Sequence, residues 1–135
     1  MIEFFIPCLP PTTTSQMKRM NRASGRFFKS KEGQAAEEFY MALLQEYAPA
    51  TPVVGPLKLK VIVTWPHRKS EPKRNLDHEI PHTSKPDADN WIKQFQDVLV
   101  ALRFIENDQS ISDLAVSKRR GPSAGIEVRI SRIEL

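Results

Sequence analysis

The stretch Lys85-Pro86-Asp87-Ala88-Asp89-Asn90-Trp91-Ile92-Lys93 decides how this chain is read. Pro86 biases Lys85 towards extended backbone. From Asp87 or Asp89 to Leu102 the apolar residues Trp91, Ile92, Phe95, Val98, Leu99 and Leu102 recur at helical spacing. At roughly 100° per residue they cover an arc of about 120°, enough to bury one helix face. Asp89, Lys93 and Asp97 follow at four-residue steps on the opposite, polar stripe. If Asp87 is still extended, the alternate residues Asp87 and Asp89 point to one side. Two carboxylates and a lysine then converge on a helix N-terminus.

Two readings of that cluster compete. Neighbouring carboxylates repel each other unless a cation lies between them. Oxygen-only ligands without cysteine suit Mg²⁺, with Mn²⁺ as a possible substitute, rather than zinc. In the other reading, an aspartate at a helix start caps it or complements its dipole, and Asp89, Lys93 and Asp97 form surface ion pairs. For a bare Asp-x-Asp ahead of a helix, this second reading is the better one.

Working outward, 135 residues suit one domain spanning 1–135. Ile2–Ile6 reads as a short strand stopped by Pro7 and Pro10-Pro11. Thr12–Lys29 has no sustained period and reads as a long loop. Ser30 can cap a helix whose apolar face is Ala36, Phe39, Tyr40, Leu43, Leu44 and Tyr47, closed by Pro49 and Pro52. Leu57–Trp65 alternates as a strand with one covered face, and 67–85 is irregular and proline-punctuated. Ile111–Ser117 and Gly125–Ile133 alternate as two final strands joined through Gly121–Gly125. The expected fold is α+β, in the order β-α-β-α-β-β, with helices packed on a mixed sheet.

The charge is unevenly spread. Lys and Arg (20) exceed Asp and Glu (16), and the net charge of +4 is compatible with a nucleic-acid partner. No acid occurs between Glu3 and Glu32, a span that holds Lys18, Arg19, Arg22, Arg26, Lys29 and Lys31. Arg68, Lys69, Lys73 and Arg74 form a second basic group and Lys118, Arg119 and Arg120 a third; Lys85 stands just ahead of the aspartates. Asp87, Asp89 and Asp108 lie between the last two groups. Basic loops around an acidic centre suit a phosphodiester-cutting enzyme: cations hold the polyanion, and carboxylates hold the metal that activates water. Solvated loop charges are the plainer alternative.

Other classes are weaker. No apolar run approaches the ~18 residues that cross a membrane, and Met1-Ile2-Glu3 lacks a basic signal-peptide start. One cysteine, Cys8, suits a reducing cytoplasm. His67, His78 and His82 with Cys8 do not make a zinc pattern, because Pro81 interrupts the turn between the last two histidines and no Cys-x-x-Cys exists. His82 reads as an ordinary loop histidine rather than a phosphate contact. Trp91 and Phe95 read as core rather than base-stacking residues.

The segment Lys85–Gln109, with Asp87-Ala88-Asp89-Asn90, Lys93, Asp97 and Asn107-Asp108-Gln109, resembles the RusA family of Holliday junction resolvases. The match extends to a Pro-Asp-x-Asp-Asn motif, a lysine three residues after its Asn, and an Asp-Gln pair after the helix. Similarity at Pro10-Pro11, the helix after Gly33, the strand before Pro66 and His82-Thr83-Ser84-Lys85 carries it over most of the chain. The resemblance implies a RusA-like fold, with Asp87, Asp89 and Asp108 as metal-binding catalytic acids and Lys93 as catalytic lysine. It also implies a Mg²⁺-dependent nuclease resolving four-way DNA junctions into ligatable nicks. Two-fold junction symmetry calls for two active sites, hence a homodimer. Lys18, Arg19, Arg22, Arg26, Lys29, Lys85 and the two later basic groups would grip the arms. Many members carry an acid where this chain has Asn107. Two alternatives are a junction- or duplex-binding protein of weak or no activity, and a metal-dependent nuclease acting on flaps or RNA.

Overall fold

In Leu57–Pro66, apolar and polar residues alternate, and burial follows: Leu57, Leu59, Val61 and Val63 are at most 1% exposed while Lys58 is open to solvent. Each such buried side chain contributes roughly 1.5–3 kcal/mol relative to exposure. The computed structural model of this chain describes residues 1–13, 18–20, 25, 27–29 and 31–134. Its strands are β1 (Ile2–Pro7), β2 (Lys18–Met20), β3 (Phe27–Lys29), β4 (Leu57–Pro66), β5 (Ile80–Pro81), β6 (Ile111–Gly121) and β7 (Gly125–Arg132). Its helices are α1 (Lys31–Leu44) and α2 (Ala88–Ala101). The class and the order of the main elements are those expected, and the chain divides into two compact, interleaved units.

Residues 1–10, 53–84 and 109–135 form the first unit, a five-stranded mixed sheet in the order β1-β7-β4-β6-β5. β4 runs parallel to β6 and antiparallel to β7, and β1 pairs antiparallel with β7. A parallel pair needs a long connection, and the chain between β4 and β6 contains α2. β5 holds Pro81, which has no N–H to give and so fits an edge strand. Gly125 is required where β7 meets β1: a Cβ there would lie 2.5 Å from the Ile6 carbonyl oxygen and 2.5 Å from the Phe5 ring. β6 runs four residues further than the alternation of Ile111–Ser117 suggested, because pairing with β4 continues through Lys118, Arg119 and Arg120 to Gly121. The third basic group is therefore strand, not loop.

Residues 11–52 and 85–108 form the second unit. The expected loop Thr12–Lys29 contains two three-residue strands, β2 and β3, paired antiparallel with Lys18 opposite Lys29. Three residues are too few for a period to show. Ser30, the expected cap of α1, lies outside the described residues. The α1 face is narrower than its apolar sequence: Ala36, Tyr40 and Leu44 are buried, whereas Phe39 is 36% exposed. Tyr40 meets α2 through an acceptor for the Trp91 indole N–H (2.9 Å) and edge-on contacts with the Trp91 and Phe95 rings, which stack at 4.9 Å. Gln94 is buried and donates to the Gly33 carbonyl (3.2 Å). α2 ends in a Schellman turn: Arg103 N–H donates to the Val100 carbonyl and Phe104 N–H to that of Leu99. Arg103 sits at φ 63°, a left-handed conformation usually given to glycine.

Candidate active site

The rotational setting of α2 is fixed by its buried face, where Trp91, Phe95 and Leu99 are completely enclosed. The polar stripe is therefore turned outward, and Asp89, Lys93 and Asp97 are all exposed. Asp87 occupies the N-cap position after the cis Lys85–Pro86 bond, with extended backbone (φ −64°, ψ 143°). Its carbonyl accepts from Trp91 N–H at 2.9 Å, but its carboxylate makes no capping hydrogen bond. Nor do Asp89 and Lys93 form an ion pair, and neither Asp87, Asp89, Lys93 nor Asp108 bonds to another described residue through its side chain. The two ordinary structural uses of these aspartates, cap and surface ion pair, are thus both unmade. The positive end of α2 meets two open carboxylates.

Asp108 lies beyond the Schellman turn, where fully buried Phe104 and nearly buried Ile105 anchor the chain, and it opens the short 3-10 turn Asp108–Ser110. It is exposed, as is Asn107. Among the described residues, no group of three or more His, Cys, Asp and Glu side chains is placed to hold a metal ion. Asp87, Asp89 and Asp108 are not drawn together as a three-acid cluster. The donor chemistry still fits Mg²⁺, which keeps several waters and is commonly held by one or two carboxylates plus substrate phosphate. Asp87 and Asp89 are the residues that could supply such a pair.

The basic groups separate into different roles. Strand alternation sends Lys118 and Arg120 to one face of β6 and Arg119 to the other. Arg119 is neutralised by Glu79 (2.6 Å). Lys118 donates to the Ser84 carbonyl (2.5 Å), Arg120 to the Pro66 carbonyl (3.2 Å), and Arg68 to the Ser84 hydroxyl. Lys69, Lys73, Arg74 and Lys85 are exposed. Lys18, Arg19 and Lys29 lie on β2 and β3, and Arg22 and Arg26 fall outside the described residues.

His82 is not an ordinary loop histidine. It is 5% exposed, its ring lies 4.9 Å from that of Trp65, and its N–H donates to the Lys118 carbonyl (3.1 Å). Burial, then the cations Arg120 and Lys118, push its pKa down from 6.5 to about 4; a backbone hydrogen bond opposes this and Arg68 adds the least. Burial and the neighbouring Arg68 likewise lower Arg120, opposed by Glu71.

The profile of the RusA endodeoxyribonuclease family matches residues 9–131, across both units. A crossover junction endodeoxyribonuclease of Lactococcus phage r1t is 28% identical over 132 residues, covering 97% of this chain and 96% of its own. The uncharacterized protein YqaN of Bacillus subtilis (strain 168) is 32% identical over 101 residues, 70% of each chain. The profile match over residues 9–131 leads to one conclusion: the chain belongs to the RusA family of endodeoxyribonucleases.

Proposed function

We propose that this protein is a Mg²⁺-dependent endonuclease that resolves four-way DNA junctions by paired symmetric nicks, acting as a homodimer in cytoplasmic recombination and repair. The observation that carries the reading is the pair Asp87 and Asp89, whose carboxylates neither cap α2 nor pair with Lys93. The Lactococcus phage r1t relative is named a crossover junction endodeoxyribonuclease, which supports the reading of a junction-cutting nuclease. No helix among the described residues is long and apolar enough to cross a membrane.

In this mechanism Asp87 and Asp89 would hold Mg²⁺ (Mn²⁺ as substitute), with Asp108, which is not drawn into a three-acid cluster with them, as the third acid that the family resemblance implies. The cation supplies Lewis acidity towards water and phosphate when bound. Lys93, one helical turn beyond Asp89, offsets the charge that grows on the phosphate oxygens. Arg68, Lys69, Lys73, Arg74, Lys85, Lys118 and Arg120, with Lys18, Arg19, Arg22, Arg26 and Lys29, bind the DNA arms. Arg119 belongs to the same proposed set, and its charge is partly offset by Glu79. Phosphate contacts position a protein without reading sequence, so junction preference rests chiefly on shape.

The test is a panel of labelled four-way junction, flap, linear duplex and RNA substrates with Mg²⁺. Paired nicks confined to the junction support the proposal. Preferred cutting of flaps or RNA assigns a different nuclease activity. Salt-dependent junction binding with no Mg²⁺-dependent product assigns a binding protein without catalysis.

A further inference from the structure

We propose that Arg68, Lys118 and Arg120, gathered around the His82–Ser84 turn, form a preformed receptor for a single phosphate group. On the function proposed above, its occupant is one backbone phosphodiester of the DNA substrate.

The receptor is built from a rigid bracket. Trp65 donates its indole N–H to the Pro10 carbonyl (2.7 Å) and packs against the His82 ring. His82 Nδ1 accepts the Ser84 N–H (3.1 Å), which fixes the Ser84 carbonyl and hydroxyl. Those two oxygens in turn receive Lys118 and Arg68. Arg120 arrives from the same face of β6 as Lys118, and all three cations act on the one imidazole.

Like charges collected this way repel unless an anion joins them. Among the described residues neither Arg68 nor Arg120 is paired with a carboxylate. Glu71 acts on Arg120 through its charge without a salt bridge to it, and its carboxylate accepts from the Asn75 amide at 3.1 Å. With Nδ1 accepting, the ring hydrogen sits on Nε2, which is buried and has no partner. The His82 Nε2–H is thus a buried donor with no acceptor among the described residues, and the Ser84 and Pro66 oxygens that Arg68, Lys118 and Arg120 reach are all neutral. Two guanidinium forks and an ammonium exceed what a planar carboxylate can engage, and they match the several oxygens of a phosphate.

Two measurements test the receptor and its occupant separately. In NMR, millimolar inorganic phosphate should shift the Ser84 amide and His82 ring signals of the wild type and leave those of the folded triple variant Arg68→Gln/Lys118→Gln/Arg120→Gln unmoved. No shift in the wild type, or an equal shift in the variant, overturns the receptor. In EDTA, junction binding is then followed against NaCl concentration. If the three cations share one phosphate, the triple variant lowers the log–log salt slope by about 0.9; three separate contacts lower it by about 2.7. The larger loss overturns the shared receptor. An unchanged slope, with phosphate shifts retained, overturns the DNA occupant and assigns the site to free phosphate groups. A wild type that binds no junction but shows the shifts keeps the receptor and rejects the proposed function.

Discussion

The main-chain N–H of Ser84 donates to Nδ1 of His82 at 3.1 Å, a bond that requires the imidazole to be unprotonated at that atom. Protonating His82 therefore breaks the bracket that holds Ser84, besides adding a charge among Arg120, Lys118 and Arg68.

The sign of the resulting pH effect follows from linkage. His82 titrates near 6.5 when unfolded and at about 4 when folded. Above 6.5 both states are neutral. Between 6.5 and 4 only the unfolded chain takes up the proton, so stability falls as pH falls across that window and levels off below it. Urea midpoints measured from pH 7 to pH 4 should show this decline. His82→Gln should flatten the part that His82 contributes, whatever its effect at pH 7.

Tyr40→Phe removes the acceptor of a buried indole N–H, since Trp91 donates to the Tyr40 hydroxyl at 2.9 Å and both residues are fully buried. Leaving such a donor without its acceptor costs roughly 1–3 kcal/mol. Urea unfolding should register that loss with an unchanged m-value. A loss below about 0.5 kcal/mol would show the contact to be incidental.

Arg103→Gly should stabilise the protein. A non-glycine residue in left-handed backbone costs roughly 1–2 kcal/mol, and Arg103 sits at φ 63° in the turn that ends α2. Glycine relieves this but gives the unfolded chain about 0.4–1 kcal/mol more freedom. A net gain of about 0.5–1 kcal/mol, seen as a Tm raised by a few degrees, is expected.

These elements differ in how legible they were. β4 could be read because four buried aliphatic residues alternate within it, and α2 because its apolar spacing matches a helix facing a core. The end of β6 could not, since Lys118, Arg119 and Arg120 carry no hydrophobic signal and are held in strand by their pairing with β4. β2 and β3 are too short to show a period. Asp87 and Asp89 were legible as a pair at the start of α2, but cap and ligand use the same residue type, and the three-acid cluster with Asp108 is not formed. The structure shows only that the Asp87 side chain makes no capping bond. His82 was misjudged because its burial depends on Trp65 and the β6 cations, all distant in sequence.

Lys93 has an exposed ammonium one turn beyond Asp89. If it offsets charge on the reacting phosphate, Lys93→Met should lower kcat about 10²–10³-fold, the scale of losing one transition-state contact. Junction affinity in EDTA should change little. An equal loss of affinity and of kcat/KM with kcat intact would instead make Lys93 a binding residue.

The central claim is that the acidic pair at the start of α2 holds the catalytic cation, and cleavage of a synthetic four-way junction by Asp89→Asn in Mg²⁺ tests it most directly. The account predicts a folded variant that still binds the junction and produces no nicks above background. Cleavage at the wild-type rate by that variant would contradict it.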